Sequence, residues 1–213
     1  MDINSYIASI IASMGIVPVI KINDAKDAVP LCAALKRGGL PIAEITFRTA
    51  AAAESIRRVC GELEGVLVGA GTVLTRDQVD SAVAAGAMFI VSPGLNPDVV
   101  KYCAELGIPI FPGCVTASEI ESALSLGLHV VKFFPAEAMG GIATIKALSA
   151  PFSDVRFLPT GGLNQDNFMD YLAFKKVIAC GGSWMVKEDL IAGGNFDAIA
   201  ELTRAAVDKK SGS

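Results

Sequence analysis

The chain has 213 residues, 52% of them apolar and 19% charged, against about 45–50% and about 25% in average soluble domains. Lys plus Arg number 18 against 22 Asp plus Glu, a net charge of −4, and the scattered basic residues exclude a nucleic-acid site built on bulk electrostatics. The 21 glycines and 10 prolines form no Pro/Gly tract, which rules out disorder and collagen-like repeats.

In chain order, Ile3–Met14 reads as a helix that precedes the first strand and closes one end of the fold. The apolar start from Ile7 to Ile20 lacks the basic flank of a secretory signal: Asp2 is acidic, and Ser9 and Ser13 interrupt it before Pro18. No run of about 18 uninterrupted apolar residues offers a bilayer span, so a soluble chain with no membrane partner is expected. Strands are expected at Val17–Lys21, Ala43–Phe47, Val66–Gly69, Phe89–Ser92, Pro109–Phe111, Val130–Phe134, Val155–Leu158 and Val177–Ala179. They begin 20 to 26 residues apart, the length of one βα unit. Most are short and apolar without alternation, as parallel strands covered on both faces are.

Helix signals fill the gaps. Thr75–Gln78 and Thr116–Glu119 read as capping boxes, Asn96-Pro97 puts proline at a first helical position, and Gly38, Gly86, Gly107 and Gly127 stand where helices end. Eight strands alternating with about eight helices predict an α/β fold, a (β/α)8 TIM barrel with an extra N-terminal helix. An open doubly wound sheet usually carries a GxGxxG turn after its first strand, and Lys21-Ile22-Asn23-Asp24 offers none. No interior linker breaks the chain, so 1–213 reads as one domain, with Lys209–Ser213 a polar, frayed tail.

The single histidine, His129, excludes HxH, HExxH and Cys/His metal clusters and a Ser-His-Asp triad with a choice of bases. Cys32, Cys60, Cys103, Cys114 and Cys180 are far apart with no CxxC, and read as reduced thiols packed as small hydrophobes in a cytosolic protein.

Barrel active sites lie at the C-terminal ends of the strands. The polar residues there are Glu44, Thr46 and Arg48 on the second strand, Thr72 after the third, Ser92-Pro93 after the fourth and Lys132 on the sixth. Thr160-Gly161-Gly162 follows the seventh and Gly181-Gly182-Ser183 the eighth. Lys132 stands mid-strand in an apolar run whose outer face helices cover, so an inward direction is favoured. Burial disfavours the charged form of an amine and suits it to Schiff-base chemistry on a carbonyl. A structural reading pairs it instead with Glu44 or Glu137. Positions 44, 46 and 48 share one face of an extended run, which aims a carboxylate, a hydroxyl and a guanidinium into one cavity. Arg48 has the fork that clamps a substrate carboxylate, and Glu44 suits general acid/base work. The two glycine pairs at successive strand ends point to a phosphate site, where glycines let backbone N–H groups approach an anion. Ser183 supplies a hydroxyl there, and Asn164 reads as a cap for the next helix. Glu137, on the loop after the sixth strand, competes with Glu44 for the role of base. Lys21 lines the same end without a partner that singles it out, His129 lies at the opposite end, and Trp184 reads as core.

The segments Glu44–Thr49, Val68–Val73, Ser92–Gly94, Lys132-Phe133-Phe134-Pro135-Ala136-Glu137, Pro159–Gly162 and Gly181–Trp184 resemble the 2-keto-3-deoxy-6-phosphogluconate (KDPG) aldolases, also described as 4-hydroxy-2-oxoglutarate (KHG) aldolases. The match runs through the whole chain in motif order and spacing. The resemblance implies a cytoplasmic class I aldolase on a (β/α)8 barrel, working without metal or cofactor and usually a homotrimer. Its small-molecule partners would be a phosphorylated keto-sugar acid and pyruvate. Carried onto this chain, Lys132 forms the Schiff base and Glu44 transfers protons. Arg48 and Thr72 hold the pyruvyl carboxylate, and the Pro93 main chain and Phe134 line the pyruvyl pocket. Thr160, Gly161, Gly162 and Ser183 bind the remainder, with Gly161, Gly162 and Ser183 on the phosphate. The expected reaction cleaves KDPG to pyruvate and glyceraldehyde 3-phosphate, with KHG cleavage as a second activity. The rivals are the galactonate epimer as substrate, a phosphate-binding barrel isomerase or synthase without covalent catalysis, and a binding barrel that has lost turnover.

Overall fold

Apolar runs that never alternate become strands buried on both faces. The computed structural model describes residues 3–212; Met1, Asp2 and Ser213 lie outside the described residues. The strands are β1 (Ile16–Ile20), β2 (Ile42–Thr46), β3 (Leu67–Gly71), β4 (Phe89–Val91), β5 (Ile110–Phe111), β6 (Val130–Phe133), β7 (Arg156–Pro159) and β8 (Cys180–Gly182). Every residue of β2 to β6 is buried. The helices are α1 (Ile3–Met14), α2 (Ala28–Arg37), α3 (Ala52–Glu62), α4 (Arg76–Ala84), α5 (Pro97–Glu105), α6 (Ala117–Ser125), α7 (Gly141–Ser149), α8 (Phe168–Leu172), α9 (Glu188–Ala192) and α10 (Phe196–Ser211).

All pairings are parallel, so the C-terminal ends of the strands open on one side. One six-stranded sheet runs β5-β4-β3-β2-β1-β8, and β6-β7 form a second, two-stranded sheet. The expectation of eight continuously paired strands is met in part, because at the junctions the ladder shrinks to isolated bridges, Gly113 to Lys132 on one side and Phe157 to Val177 and Thr160 to Gly181 on the other. Pro112, which has no N–H to donate, leaves only its carbonyl to the Lys132 amide. The eighth strand also lies later than expected. Val177 makes only a bridge to Phe157, and the ladder with β1 begins at Cys180. Gly181 and Gly182, read from sequence as a loop, are strand residues. A Cβ on Gly181 would lie 2.3 Å from Thr160 Oγ1 and one on Gly182 would lie 1.9 Å from the Trp184 ring, so close packing accounts for both glycines.

The helix starts follow the capping chemistry. Thr116 and Glu119 form a reciprocal capping box on α6, and Asn96 with Pro97 opens α5. Thr75 caps α4, but the Gln78 side chain turns to the Leu74 amide at 2.7 Å, so that box is not reciprocal. After α2 the left-handed residue is Gly39, not Gly38; Gly38 is small because a Cβ there would meet Thr203 of α10 at 2.6 Å. Asn164 accepts from the Asp166 and Asn167 amides and shapes the turn before α8 rather than capping it. The polar tail is helical through Ser211. Lys209 donates to the Gln165 carbonyl at 2.6 Å and Lys210 to the Met14 carbonyl at 2.9 Å. At the N-terminal side of the sheets, α1 buries Ile7, Ala8 and Ile11 and lies beside Phe111, His129 and Arg156 around a cavity of about 180 Å³. Among the described residues no helix is long and apolar enough to cross a membrane.

Cys32, Cys103, Cys114 and Cys180 are buried free thiols, whereas Cys60 is exposed, a departure from the all-core reading. Burial pushes the Cys32, Cys103 and Cys114 thiols up to about 12, leaving almost no thiolate to react at neutral pH. Titration of the native protein with a thiol reagent at pH 8 is therefore expected to modify Cys60 alone, and all five after denaturation. A second thiol reacting as fast in the native protein would contradict this burial pattern.

Candidate active site

The centre of the site follows from the register of β2 against β1 and β3. Glu44 pairs with Val19 on one side and Gly69 on the other, and is fully buried. Its Oε1 lies 3.5 Å from Lys132 Nζ, while its Oε2 is buried with no hydrogen-bond partner among the described residues. Lys132 is 5% exposed, and its backbone is fixed on the β5 side by bonds from its amide to Pro112 and from the Cys114 amide to its carbonyl. A charge-assisted N–H···O bond is usually about 2.7–2.9 Å, so the two groups face each other without locking. A buried acceptor left unpaired costs about 1–3 kcal/mol, a cost that native structures keep mainly where chemistry needs it. The Lys132 ammonium also lies 5.1 Å from the centre of the Phe134 ring, which follows β6 and is 36% exposed.

The space around Glu44 is made by Gly71. A Cβ there would lie 2.2 Å from Glu44 Oε1, so no other residue type fits. The next residue, Thr72, has φ +58°, an uncommon conformation for a β-branched residue that stores about 1–3 kcal/mol of strain. Sequence reasoning missed Gly71, although its signal was present: glycine at alternate positions of a strand, Gly69 and Gly71, marks a close approach on one face.

Arg48 lies beyond the strand that carries Glu44 and Thr46, although its side chain meets that of Thr46. β2 ends at Thr46, and Arg48 stands exposed in the following turn. Thr46 supports it: its hydroxyl donates to the Ile20 carbonyl at 2.7 Å and accepts from Arg48 Nε at 3.0 Å. The terminal guanidinium nitrogens make no hydrogen bond among the described residues. With Lys21, Ser183 and Trp184, Arg48 lines an open cleft of about 510 Å³ above the strand ends. Pro93, half-buried after β4, is pressed against Gly113, where a Cβ would come 2.0 Å from the Pro93 carbonyl oxygen.

The loops after β6 and β7 are laced together. The carbonyls of Thr160, Gly161 and Gly162 accept from the amides of Ala136 and Glu137 and the Asn167 side chain. The amides of Gly161 and Gly162, both at positive φ, donate to no acceptor among the described residues; successive free N–H groups of this kind suit an anion. Thr160 is buried, and its hydroxyl oxygen has no partner among the described residues. Glu137, the rival base, instead accepts a short hydrogen bond from the Tyr171 hydroxyl and packs against Gly162. Burial first, and then that bond, raise the Tyr171 pKa, so the phenol remains the donor. Ser183 follows β8 and is exposed in the cleft. Lys21, unassigned from sequence, is paired with Glu188 at 2.9 Å. His129 lies at the far end, and Trp184 is half-buried, stacked on Phe168. Among the described residues no group of three or more His, Cys, Asp and Glu side chains is arranged to hold a metal ion.

A buried amine facing a buried carboxylate, with the guanidinium of Arg48 free at the strand ends, is the equipment of an enzyme that works on an anionic carbonyl compound through a covalent imine. The profile of the KDPG and KHG aldolases matches residues 7–202, and the chain belongs to that family. It is 51% identical over 189 residues to the 2-dehydro-3-deoxy-phosphogluconate aldolase of Treponema pallidum, covering 89% of this chain and 90% of that protein. It is 44% identical over 200 residues to the KHG/KDPG aldolase of Escherichia coli K12, covering 94% of each. Among solved structures it superposes with a TM-score of 0.90, at 40% identity and covering 93% of this chain and 97% of that one, on the KDPG aldolase of Legionella pneumophila. That enzyme holds pyruvate captured at low pH as a covalent carbinolamine.

Gly71→Ala tests the packing of the site. The added methyl has no room beside Glu44, so kcat is expected to fall at least about tenfold, with a stability loss of about 1–3 kcal/mol. Steady-state kinetics with urea denaturation reads both. Unchanged kcat would contradict the close approach.

Proposed function

We propose that the protein is a class I aldolase that cleaves 2-keto-3-deoxy-6-phosphogluconate to pyruvate and glyceraldehyde 3-phosphate, and also 4-hydroxy-2-oxoglutarate to pyruvate and glyoxylate. The observation that carries this reading is the 3.5 Å approach of Lys132 Nζ to Glu44 Oε1, both buried within parallel strands. The Legionella relative's covalent pyruvate adduct supports an amine nucleophile.

In this mechanism the Lys132 amine adds to carbon 2, and loss of water from the carbinolamine gives a protonated imine. Glu44, through a water, takes the proton of the carbon 4 hydroxyl. The bond between carbons 3 and 4 breaks, its electron pair passes into the imine, and the aldehyde leaves with an enamine of pyruvate behind. Glu44 returns the proton to carbon 3, and hydrolysis frees pyruvate and Lys132. The imine is itself the electron sink, so the sequence of steps calls for no metal or cofactor. Arg48 and Thr72 hold the carboxylate, the Pro93 main chain and Phe134 line the pyruvyl pocket, and Gly161, Gly162 and Ser183 take the phosphate. Thr160 borders the carbon chain between them. Binding energy at both ends orients carbons 2 to 4 for reaction.

We infer further that the six- and two-stranded sheets are parts of one closed (β/α)8 barrel, that residues 1–213 form a single domain, and that the chain acts in the cytoplasm as a homotrimer. The isolated bridges at the two junctions, Gly113 to Lys132 on one side and Phe157 to Val177 and Thr160 to Gly181 on the other, support closure. Analytical ultracentrifugation is expected to give three chain masses; a monomer at micromolar concentration would exclude the trimer.

Borohydride reduction in the presence of pyruvate is expected to leave a stable adduct on the peptide containing Lys132. Lys132→Ala is expected to lose trapping and about 10³-fold or more of kcat, whereas Glu44→Gln should still trap pyruvate but lose kcat by about 10²-fold or more. Absence of an adduct on the folded protein would exclude imine chemistry in favour of a non-covalent barrel enzyme. Faster cleavage of the galactonate epimer would transfer the assignment to that substrate.

A further inference from the structure

The cleft above β1 and β8 contains a charge pair that the aldol mechanism does not use. Lys21 follows β1, and its ammonium donates to Glu188 Oε2 at 2.9 Å. Glu188 is the first residue of α9, in the segment that continues from Ser183. Both side chains line the same 510 Å³ cleft as Arg48 and Ser183. The lining of that cleft includes Val19 of β1, the register partner of Glu44 on the neighbouring strand β2. Lys21 above all, with Asn23 and Arg48, holds the Glu188 carboxyl below the usual range.

The pair is not a structural necessity. Its side chains are 34% and 56% exposed, and exposed ion pairs contribute only about 0–1 kcal/mol. It is therefore cheap to open. A carboxylate beside a site that must receive a phosphate works against binding unless a cation covers it. A phosphate carries more charge than a carboxylate and three strong acceptor oxygens, which makes it the better partner for Lys21.

We propose that Glu188 is a resident anion on Lys21, that the phosphate end of the substrate displaces it, and that this exchange sets the preference for phosphorylated over unphosphorylated hydroxy-keto acids. The proposal rests on the aldolase reading and assigns Lys21 and Glu188 as specificity-determining residues of that same site. When phosphate arrives, the Lys21 ammonium rotates from the carboxylate to the phosphate oxygens, and Glu188 is left to solvent.

The test compares KM and kcat for KDPG and KHG in the wild type, Glu188→Gln and Lys21→Gln. Glu188→Gln frees Lys21, so KM for KDPG is expected to fall about threefold, in the range of a single exposed ion pair. Lys21→Gln leaves the Glu188 carboxylate facing the phosphate, so KM for KDPG is expected to rise about fivefold or more. KM for KHG should stay within about twofold in both. Inorganic phosphate as a competitive inhibitor should follow KDPG, tighter in Glu188→Gln and weaker in Lys21→Gln, with the differences narrowing as added salt screens the charges. Lys21→Arg keeps the charge and should keep the phosphate preference, whereas a mere strut between β1 and α9 predicts equal changes for both substrates in every variant. Parallel shifts for both substrates, or an unmoved KM for KDPG in both variants, would overturn the proposal. Failure of the wild type to cleave either substrate or to trap pyruvate would sink the aldolase reading itself, so the two failures are distinguishable.

Discussion

Two ionisable groups, Lys132 and Glu44, are buried within 3.5 Å of each other, and most of the surrounding structure can be understood as the means of keeping them there. Removing one partner of a buried pair typically costs about 3–5 kcal/mol, whereas apolar replacement of both is often neutral or stabilising. Stability alone therefore gives no reason to retain the pair. Its long separation and the unpaired Glu44 Oε2 point the same way: the groups are held ready for another molecule rather than satisfied by each other. The packing is subordinate to this arrangement. Gly71 gives up a side chain to make room for the carboxylate, and Thr72 takes a left-handed conformation directly after it. Lys132 is held by main-chain bonds to the segment after β5, where proline removes a donor and the sheet narrows to a single bridge.

The costs gathered at the C-terminal ends of the strands are offset elsewhere. The strands themselves are almost wholly apolar and buried, with Phe89 and Phe111 meeting edge to face, and the helix starts are capped where Thr116, Asn96 and Thr75 stand. At the other end α1 covers the strand starts, and Lys210 of the last helix donates to the carbonyl at the end of α1, tying the two ends of the chain together. The lone histidine lies on this side, away from the site. Such a division lets loops on one side carry strain and unpaired groups while the sheet stays rigid.

The periodic features were legible in the sequence. Uniform βα spacing, continuous apolar runs and capping residues located seven of the eight strands to within about two residues, because burial on both faces leaves a local mark in the chain. Lys132 and Glu44 were legible for the same reason: a charge inside an otherwise apolar strand contradicts its surroundings. What depended on tertiary contact was not. The eighth strand was displaced because Gly181-Gly182 has the chemistry of a turn, and only Thr160 and Trp184, brought in by folding, explain why glycine is needed in a strand. Arg48 followed the period-2 pattern on paper, but β2 ends two residues earlier and Thr46 acts as its tether. Glu137 had the right residue type for a base, yet Tyr171, 34 positions away, engages it. Lys21 had no local partner to mark it, since Glu188 lies 167 positions further on.

These long-range pairs have a common consequence for how the site spends binding energy. Tyr171 fixes Glu137, Glu137 packs on Gly162, and its amide holds the Gly161 carbonyl, so the glycine loop is set before any ligand arrives. Thr46 does the same for Arg48. Groups that are already oriented lose little entropy on binding, and interactions at the two ends of a substrate can then be used to align the atoms between them. In the proposed reaction the bond that breaks lies between the carboxylate end and the phosphate end and touches neither. Rigid supports at both ends are what would convert remote contacts into a lower barrier at Lys132, and a shorter substrate that ends in a carboxylate instead of the phosphate would forgo part of that alignment along with the affinity.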